Sequence, residues 1–261
     1  MIGKTVAAIG SVLVATATAG CLSFYEIGVE TPIQAKLDVT SFQRVLVAGF
    51  LAGGSKGVDA NTETTRLLRS QLRTKSSLKV VDAEVITLAD EVDKRRPKSE
   101  DPAAQTTAAA ATPEEPRIKT DKDLQDYEQI FADKEFWKKV GQEYQAPLIV
   151  TGSVLFTEVS KSGMVSKSQE YVDPTTGRQL VQEVRQWVDR KGFRLAPKWV
   201  FIDGRTGEQL FSEAFSEETY YPTTQNTPAL SSYFELMDKL LPGFLNTLST
   251  QKIRGTRFLI K

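Results

Sequence analysis

Few residues in this chain are able to do chemistry, and their types already narrow its function. Among 261 residues there is no His and a single Cys, Cys21. The lack of His removes Ser-His-Asp and Cys-His catalysis and any His-ligated metal or haem. One Cys makes no internal disulfide and no zinc finger. Paired carboxylates still allow acid–base chemistry. Yet the adjacent Glu217 and Glu218 lie between Ser216 and Thr219, with nothing to separate their pKa values. The reading is a protein that is not an enzyme and takes no metal and no cofactor. The 33 Lys and Arg balance the 33 Asp and Glu, which leaves no strong field to gather nucleic acid.

Four further groupings have spacing worth weighing. Gly49 to Gly57 (GFLAGGSKG) lies between an expected strand and an expected helix, where phosphates bind. Its spacing fits neither G-x-G-x-x-G nor G-x-x-x-x-G-K-[ST], so a plain connection is the better reading. Tyr171–Leu180 and Phe201–Leu210 share one pattern 30 residues apart: aromatic, β-branched, Asp, two variable positions, Thr, Gly, variable, Gln, Leu. Asp accepts backbone N–H bonds and Gly supplies positive φ, the chemistry of a hairpin turn. A calcium loop would need further acidic ligands at alternate positions. Arg66, Arg69 and Arg73 form a basic stripe, a candidate contact for lipid headgroups or an acidic protein face. Its plainer reading, which we favour, is a solvated helix side with cations near the C-terminal end. Aromatics gather in the β-rich half as Trp187, Trp199, Phe211, Phe215, Tyr220 and Tyr221. Core packing accounts for Trp199, whereas Tyr220 and Tyr221, ahead of Pro222, are expected at the surface as candidate partner-binding residues.

The elements that position these groups follow from periodicity. Arg44–Phe50 (RVLVAGF) is a short apolar run expected as a buried strand. A helix capped by Asn61 or Thr62 runs to about Lys75, with Leu67, Leu68 and Leu72 inward. Leu78–Asp82 supplies a second strand, which completes a βαβ unit and a parallel pair; Ala83 to Arg95 reads as a second helix. Residues 96–120 hold four Pro and almost no large apolar side chain, the composition of a flexible insertion. Asp121–Tyr144 is expected as one long amphipathic helix, stopped by Pro147. Leu148–Val159 is the strongest strand signal, and residues 164–216 are polar and β-rich. Ser232-Tyr233-Phe234-Glu235 has the form of a capping box opening a last helix, which Pro242-Gly243 should kink or interrupt. Phe258-Leu259-Ile260 is a candidate final strand. The fold class expected is α/β: a mixed-sheet sandwich with a βαβ start, a long central helix, β-hairpins and a C-terminal helix. One domain, residues 42–261, carries it.

The N-terminus reads as an address. Lys4, an apolar run from Val6 to about Val14 and the small residues Ala15 to Gly20 describe a secretory signal, residues 1–20. Thr18-Ala19-Gly20-Cys21 resembles a bacterial lipobox, which implies that Cys21 becomes the acylated, palmitate-bearing first residue of the mature protein. Cleavage after Ala17 or Ala19 is the alternative; it would leave a solitary thiol in an oxidising compartment. Residues 21–41 then form an irregular lipidated tether. Leu22 and Ser23 follow the Cys with no Asp, which by resemblance to enterobacterial lipoproteins implies the outer membrane, facing the periplasm.

Four stretches together resemble a known family: the RVLVAGF strand with its glycine loop, Lys79–Asp82, Ala146–Val154 (APLIVTGSV) and Ile202–Glu208 (IDGRTGE). They are similar to the periplasmic domain of TolB amino-terminal-like proteins and of curli-secretion (CsgG-like) lipoproteins. The resemblance implies a non-catalytic envelope module that binds or assembles other proteins, held at a membrane by its lipid, with no catalytic residues to carry over. A subunit of a CsgG-like secretion pore is the alternative. Residues 164–195 are its best candidate hairpin, but Lys167, Glu170, Glu183, Arg185, Asp189 and Arg190 charge both faces of it. The oligomeric state is open.

Overall fold

The computed structural model describes residues 24–55, 57–95, 117–172 and 174–260. The expected signal segment, Cys21, most of the 96–120 insertion and Asp173 lie outside the described residues. In chain order the elements are β1 (Phe24–Ile33), β2 (Arg44–Gly54), α1 (Ala60–Lys75), β3 (Lys79–Val81) and α2 (Leu88–Arg95). They continue with α3 (Asp121–Tyr127), a 3-10 turn (Glu128–Ala132), α4 (Lys134–Glu143), β4 (Leu148–Val172) and β5 (Gln179–Asp203). The last are β6 (Gln209–Ala214), β7 (Glu217–Pro222), α5 (Ala229–Leu248) and β8 (Gln251–Ile260). Two compact units result: Ala35–Ser249, and a second one to which β1 and β8 belong.

The larger unit is α/β with a mixed sheet, ordered β3-β2-β4-β5-β6, with β7 also on β5. β3, β2 and β4 run parallel, and β5, β6 and β7 join antiparallel. The expected βαβ unit is therefore present. Both sheet faces are covered, which is why the central strands read as continuous apolar runs. On one face Val45, Val150, Trp199 and Phe201 pack with Leu68 and Leu72 of α1 and Leu236, Met237 and Phe244 of α5. On the other, Leu46, Ile149, Val200 and Ile202 pack with Leu88, Leu124, Phe131 and Trp137.

β2 carries a bulge that explains the glycine loop and part of the basic stripe. Its register on β4 shifts between Val47 and Gly49, so the side-chain parity flips. Val45 and Val47 face the α1 side, but after the shift Phe50 does; Leu46 and Ala48 face the other side, and then Leu51. Gly49 has φ +147, and a Cβ there would meet the Ile86 carbonyl oxygen at 2.3 Å. The displaced backbone groups all find partners. Arg69 Nη2 donates to the Val47 oxygen at 2.8 Å, and the Ile86 amide to the Ala48 oxygen at 2.8 Å. Thr151 donates to the Gly49 oxygen at 2.8 Å, and the Phe50 amide donates to Asn61 Oδ1 at 2.7 Å. Asn61 is thus inside α1; the residue that caps the helix is Asp59, accepting from the Thr62 amide at 3.2 Å.

Several boundaries differ from expectation for local reasons. The expected helix at Ala83–Arg95 begins only at Leu88, because Ile86 is held beside the bulge. Asp121–Tyr144 is three segments, not one helix. Asp133 accepts from the Phe136 amide at 3.0 Å and restarts the chain as α4, while Trp137 Nε1 donates back to the Ile130 carbonyl at 2.8 Å. Both halves still bury the same face, which preserved the stripe across the break. α5 starts at Ala229, after Pro228, and passes through Pro242-Gly243 without ending. A Cβ on Gly243 would come within 2.8 Å of Phe215 Cε1, so that turn needs the missing side chain. At the end of the insertion residues 117–120 are fixed: Ile118 is buried, and Arg117 pairs with Asp90 at 2.6 Å and Asp93 at 3.0 Å.

The second unit corrects the irregular tether. Phe24–Ile33 is a strand that pairs antiparallel with β8 from Phe24↔Ile260 to Ile33↔Gln251. The candidate final strand is therefore real, and longer than the three residues that signalled it.

Candidate interaction surface

β4 and β5 are 25 residues each and stay in one register from Leu148↔Asp203 to Val172↔Gln179. Their neighbours give out much earlier. β2 accompanies β4 only to Phe156, and β7 accompanies β5 only between Leu195 and Arg190. From Ser162↔Asp189 outward the hairpin has no strand on either edge among the described residues, a ribbon roughly 35 Å long at the usual rise per residue.

This free end concentrates exposed apolar surface. Of the 12 exposed large hydrophobic residues among those described, 8 lie on it: Met164, Val165, Tyr171, Val172, Leu180, Val181, Val184 and Trp187. Val181 is 71% exposed and Trp187 60%. A soluble monomer rarely leaves so much apolar surface together without a partner for it. The register sorts the faces. One holds Val165, Tyr171, Leu180, Val184 and Val188 among Lys161, Lys167, Arg190 and three Gln. The other holds Met164, Val172, Val181 and Trp187 among Ser160, Ser162, Ser166 and Ser168, with Glu170, Glu183, Arg185, Asp189 and Lys191. Trp187 Nε1 donates to Asp189 Oδ1 at 3.0 Å.

Both copies of the repeated turn pattern close hairpins on β5. Gly177 at the free tip has φ +68, and Gly207, between β5 and β6, has φ +76. Asp203 Oδ1 accepts from the Arg205 amide at 2.8 Å, and its carboxylate takes the Arg205 guanidinium as well. Burial pushes the Asp203 carboxyl up, but the Arg205 guanidinium and amide outweigh it and hold it below the usual range.

The hairpin's root is braced by β7 and α5. Tyr220 and Tyr221 are half-buried there, not exposed as expected. Pairing with Gly192 and Lys191 draws them onto β5, where Tyr220 Oη donates to Glu218 at 2.7 Å and Tyr221 Oη to Glu235 at 2.6 Å. Glu235 also accepts from Thr219 at 3.1 Å and Lys239 at 2.9 Å. The Tyr221 hydroxyl, followed by Lys239, holds its carboxyl below the ordinary range. A groove of about 390 Å³ opens beside them, lined in part by Val159, Lys191, Phe193, Tyr221 and Thr227.

The arginines do not form one free stripe. Arg66 is exposed, Arg69 is half-buried on the β2 bulge, and Arg73 pairs with Asp82. Burial pulls the Arg69 guanidinium below its ordinary value. Nor do these side chains share a site with the tyrosines, which are committed to β5 and α5. No helix among the described residues is long and apolar enough to cross a membrane.

No family model matches the chain, and no curated protein does. Among solved structures it is similar to lipoprotein GNA1162 from Neisseria meningitidis, at 12% identity and a TM-score of 0.31, over 78% of this chain and 98% of that one. A likeness at that score carries no argument.

Proposed function

We propose that the chain is an outer-membrane lipoprotein, acylated at Cys21 and facing the periplasm, that works as a non-catalytic interaction or assembly module. Its working surface is the free end of the β4–β5 hairpin. The supporting observation is the eight exposed apolar side chains on a ribbon that no other strand among the described residues covers. Uncovered strand edges recruit further chain, and the charges interspersed on this ribbon restrain indiscriminate pairing. Envelope proteins are the partners this surface suits.

A second reading, the secretion-pore subunit, draws on the ribbon's length. Its 11 unaccompanied rows, Ser162↔Asp189 to Val172↔Gln179, match the ~9–11 residues with which a barrel strand crosses a membrane. Against it, both faces carry charges, Lys161, Lys167 and Arg190 on one and Glu170, Glu183, Arg185 and Asp189 on the other, and one of the two would have to meet lipid.

The deciding measurement is the mass of the membrane-extracted protein in mild detergent, by light scattering, beside a Cys21→Ala form. A monomer or small oligomer that leaves the membrane fraction without Cys21 is the expected result. A large closed ring that disappears when the hairpin is shortened to Ser160 and Lys191 would replace the module by the pore.

A further inference from the structure

The β1–β8 ribbon has a chemistry of its own. Alternation along its register puts Ile27, Val29, Thr31 and Ile33 on one face with Gly255 and Arg257. That face carries a single charged residue, Arg257. The opposite face holds four: Glu26, Glu30, Arg254 and Lys252, with Glu30 paired to Arg254 at 2.9 Å and to Lys252 at 3.6 Å. Ile27 is 42% exposed and Ile33 37%. A two-stranded ribbon with one such face is marginal in water and needs a covering surface.

We propose that this surface is the bilayer holding the acyl chains of Cys21, with the Ile27 face lying in the interface. The inference rests on the lipidation reading. Cys21 precedes Phe24 by three positions, so the end row Phe24↔Ile260 lies within about 10 Å of the anchored residue. Such a tether makes the second membrane contact effectively intramolecular, at high local lipid concentration. An element with one apolar and one charged face lies along an interface instead of crossing it. The charges agree: Lys252, Arg254 and Arg257 outnumber Glu26 and Glu30, a balance that favours anionic headgroups. The C-terminal strand thereby becomes part of the membrane anchor, although it lies more than two hundred residues from the lipid in sequence.

The chain's single Cys supplies the test, because acylation consumes that thiol and leaves an introduced one unique. Full-length Ile27→Cys and Gly28→Cys proteins are extracted, weighed intact, labelled with an NBD fluorophore and placed in phosphatidylethanolamine–phosphatidylglycerol vesicles. Gly28 sits on the charged face and has open space for a side chain. Brominated acyl chains should quench the label at position 27 at least about twofold and leave that at 28 in water. Equal exposure to water at both positions in acylated protein overturns the proposal alone. So does a label at 27 that is shielded from water yet unquenched, since a second copy of the chain would then cover the face. An intact mass without acyl groups, with Cys21 itself labelled, overturns the lipidation reading and the ribbon's placement together.

Discussion

The inner and outer halves of the β4–β5 hairpin share two strands, one register and the same side-chain alternation, yet they meet opposite fates. From Leu148↔Asp203 to Phe156↔Leu195, β4 is buried throughout, with β2 on its free edge and β6 and β7 on the outer edge of β5. Beyond Ser162↔Asp189 the same pairing continues with no further strand beside it among the described residues. Two tryptophans on β5 mark the contrast. Trp199 is fully buried, edge-on to Phe50 at 5.6 Å and to Phe244 at 5.4 Å, whereas Trp187 is 60% exposed. Backbone pairing alone buries little; what covers a strand decides what its side chains are worth.

The largest expected effect tests that contrast directly. Trp199→Ala should cost about 3–5 kcal/mol in urea denaturation, because it empties a close-packed site. Trp187→Ala should stay within about 0.5 kcal/mol. Equal losses would mean that the outer ribbon is covered within the monomer. Glycines give the next comparison. Gly152 has φ +144, and a Cβ there would lie 1.8 Å from the Lys198 carbonyl oxygen; Gly163 has nothing within 4 Å. Gly152→Ala should lower stability by roughly 1–3 kcal/mol in thermal unfolding, and Gly163→Ala should leave Tm unchanged or slightly higher.

At the boundary between the halves, Tyr221→Phe removes the hydroxyl that donates to Glu235. A loss of about 0.5–1 kcal/mol is expected, with faster amide exchange at Lys191–Phe193, the residues paired to β7. The smallest effect is in pH. The folded Glu235 carboxyl lies below its unfolded value near 4.5, so its contribution is complete above that pH and fades as pH falls through the lowered folded value. Glu235→Gln should therefore lower stability slightly at neutral pH, flatten the acid limb, and meet the parent curve once pH falls below the lowered folded value.

How much of this was legible varies by element. β2, β3 and the inner half of β4 are Val- and Leu-rich runs that only a sheet covered on both faces can hold, and their sequence announces them. The repeated Asp-x-x-Thr-Gly pattern foretells its two turns, because Gly177 and Gly207 supply the positive φ that those turns require. Residues 164–195 stood out as a hairpin from their composition alone. Tyr220 and Tyr221 did not read correctly. Exposure depends on which strand a segment joins, and β7 joins β5 through a pairing that no local pattern carries. Arg69 shows the same gap: its stripe spacing is visible, but the Val47 carbonyl it serves exists only because the strand bulges.

The sequence by itself determined the inventory. It lacks His, places its one Cys after a stretch of small residues, balances its charge, and spaces its apolar residues for helices, strands and turns. Those properties are local, fixed by residue type and by separations of a few positions. Only the tertiary structure decided that β1 meets β8 across the whole chain, that Arg69 serves a bulge, and that the hairpin outruns its neighbours. Each of these depends on contacts between residues far apart in sequence, where the closing of the fold, and not the propensity of any segment, sets which groups are covered.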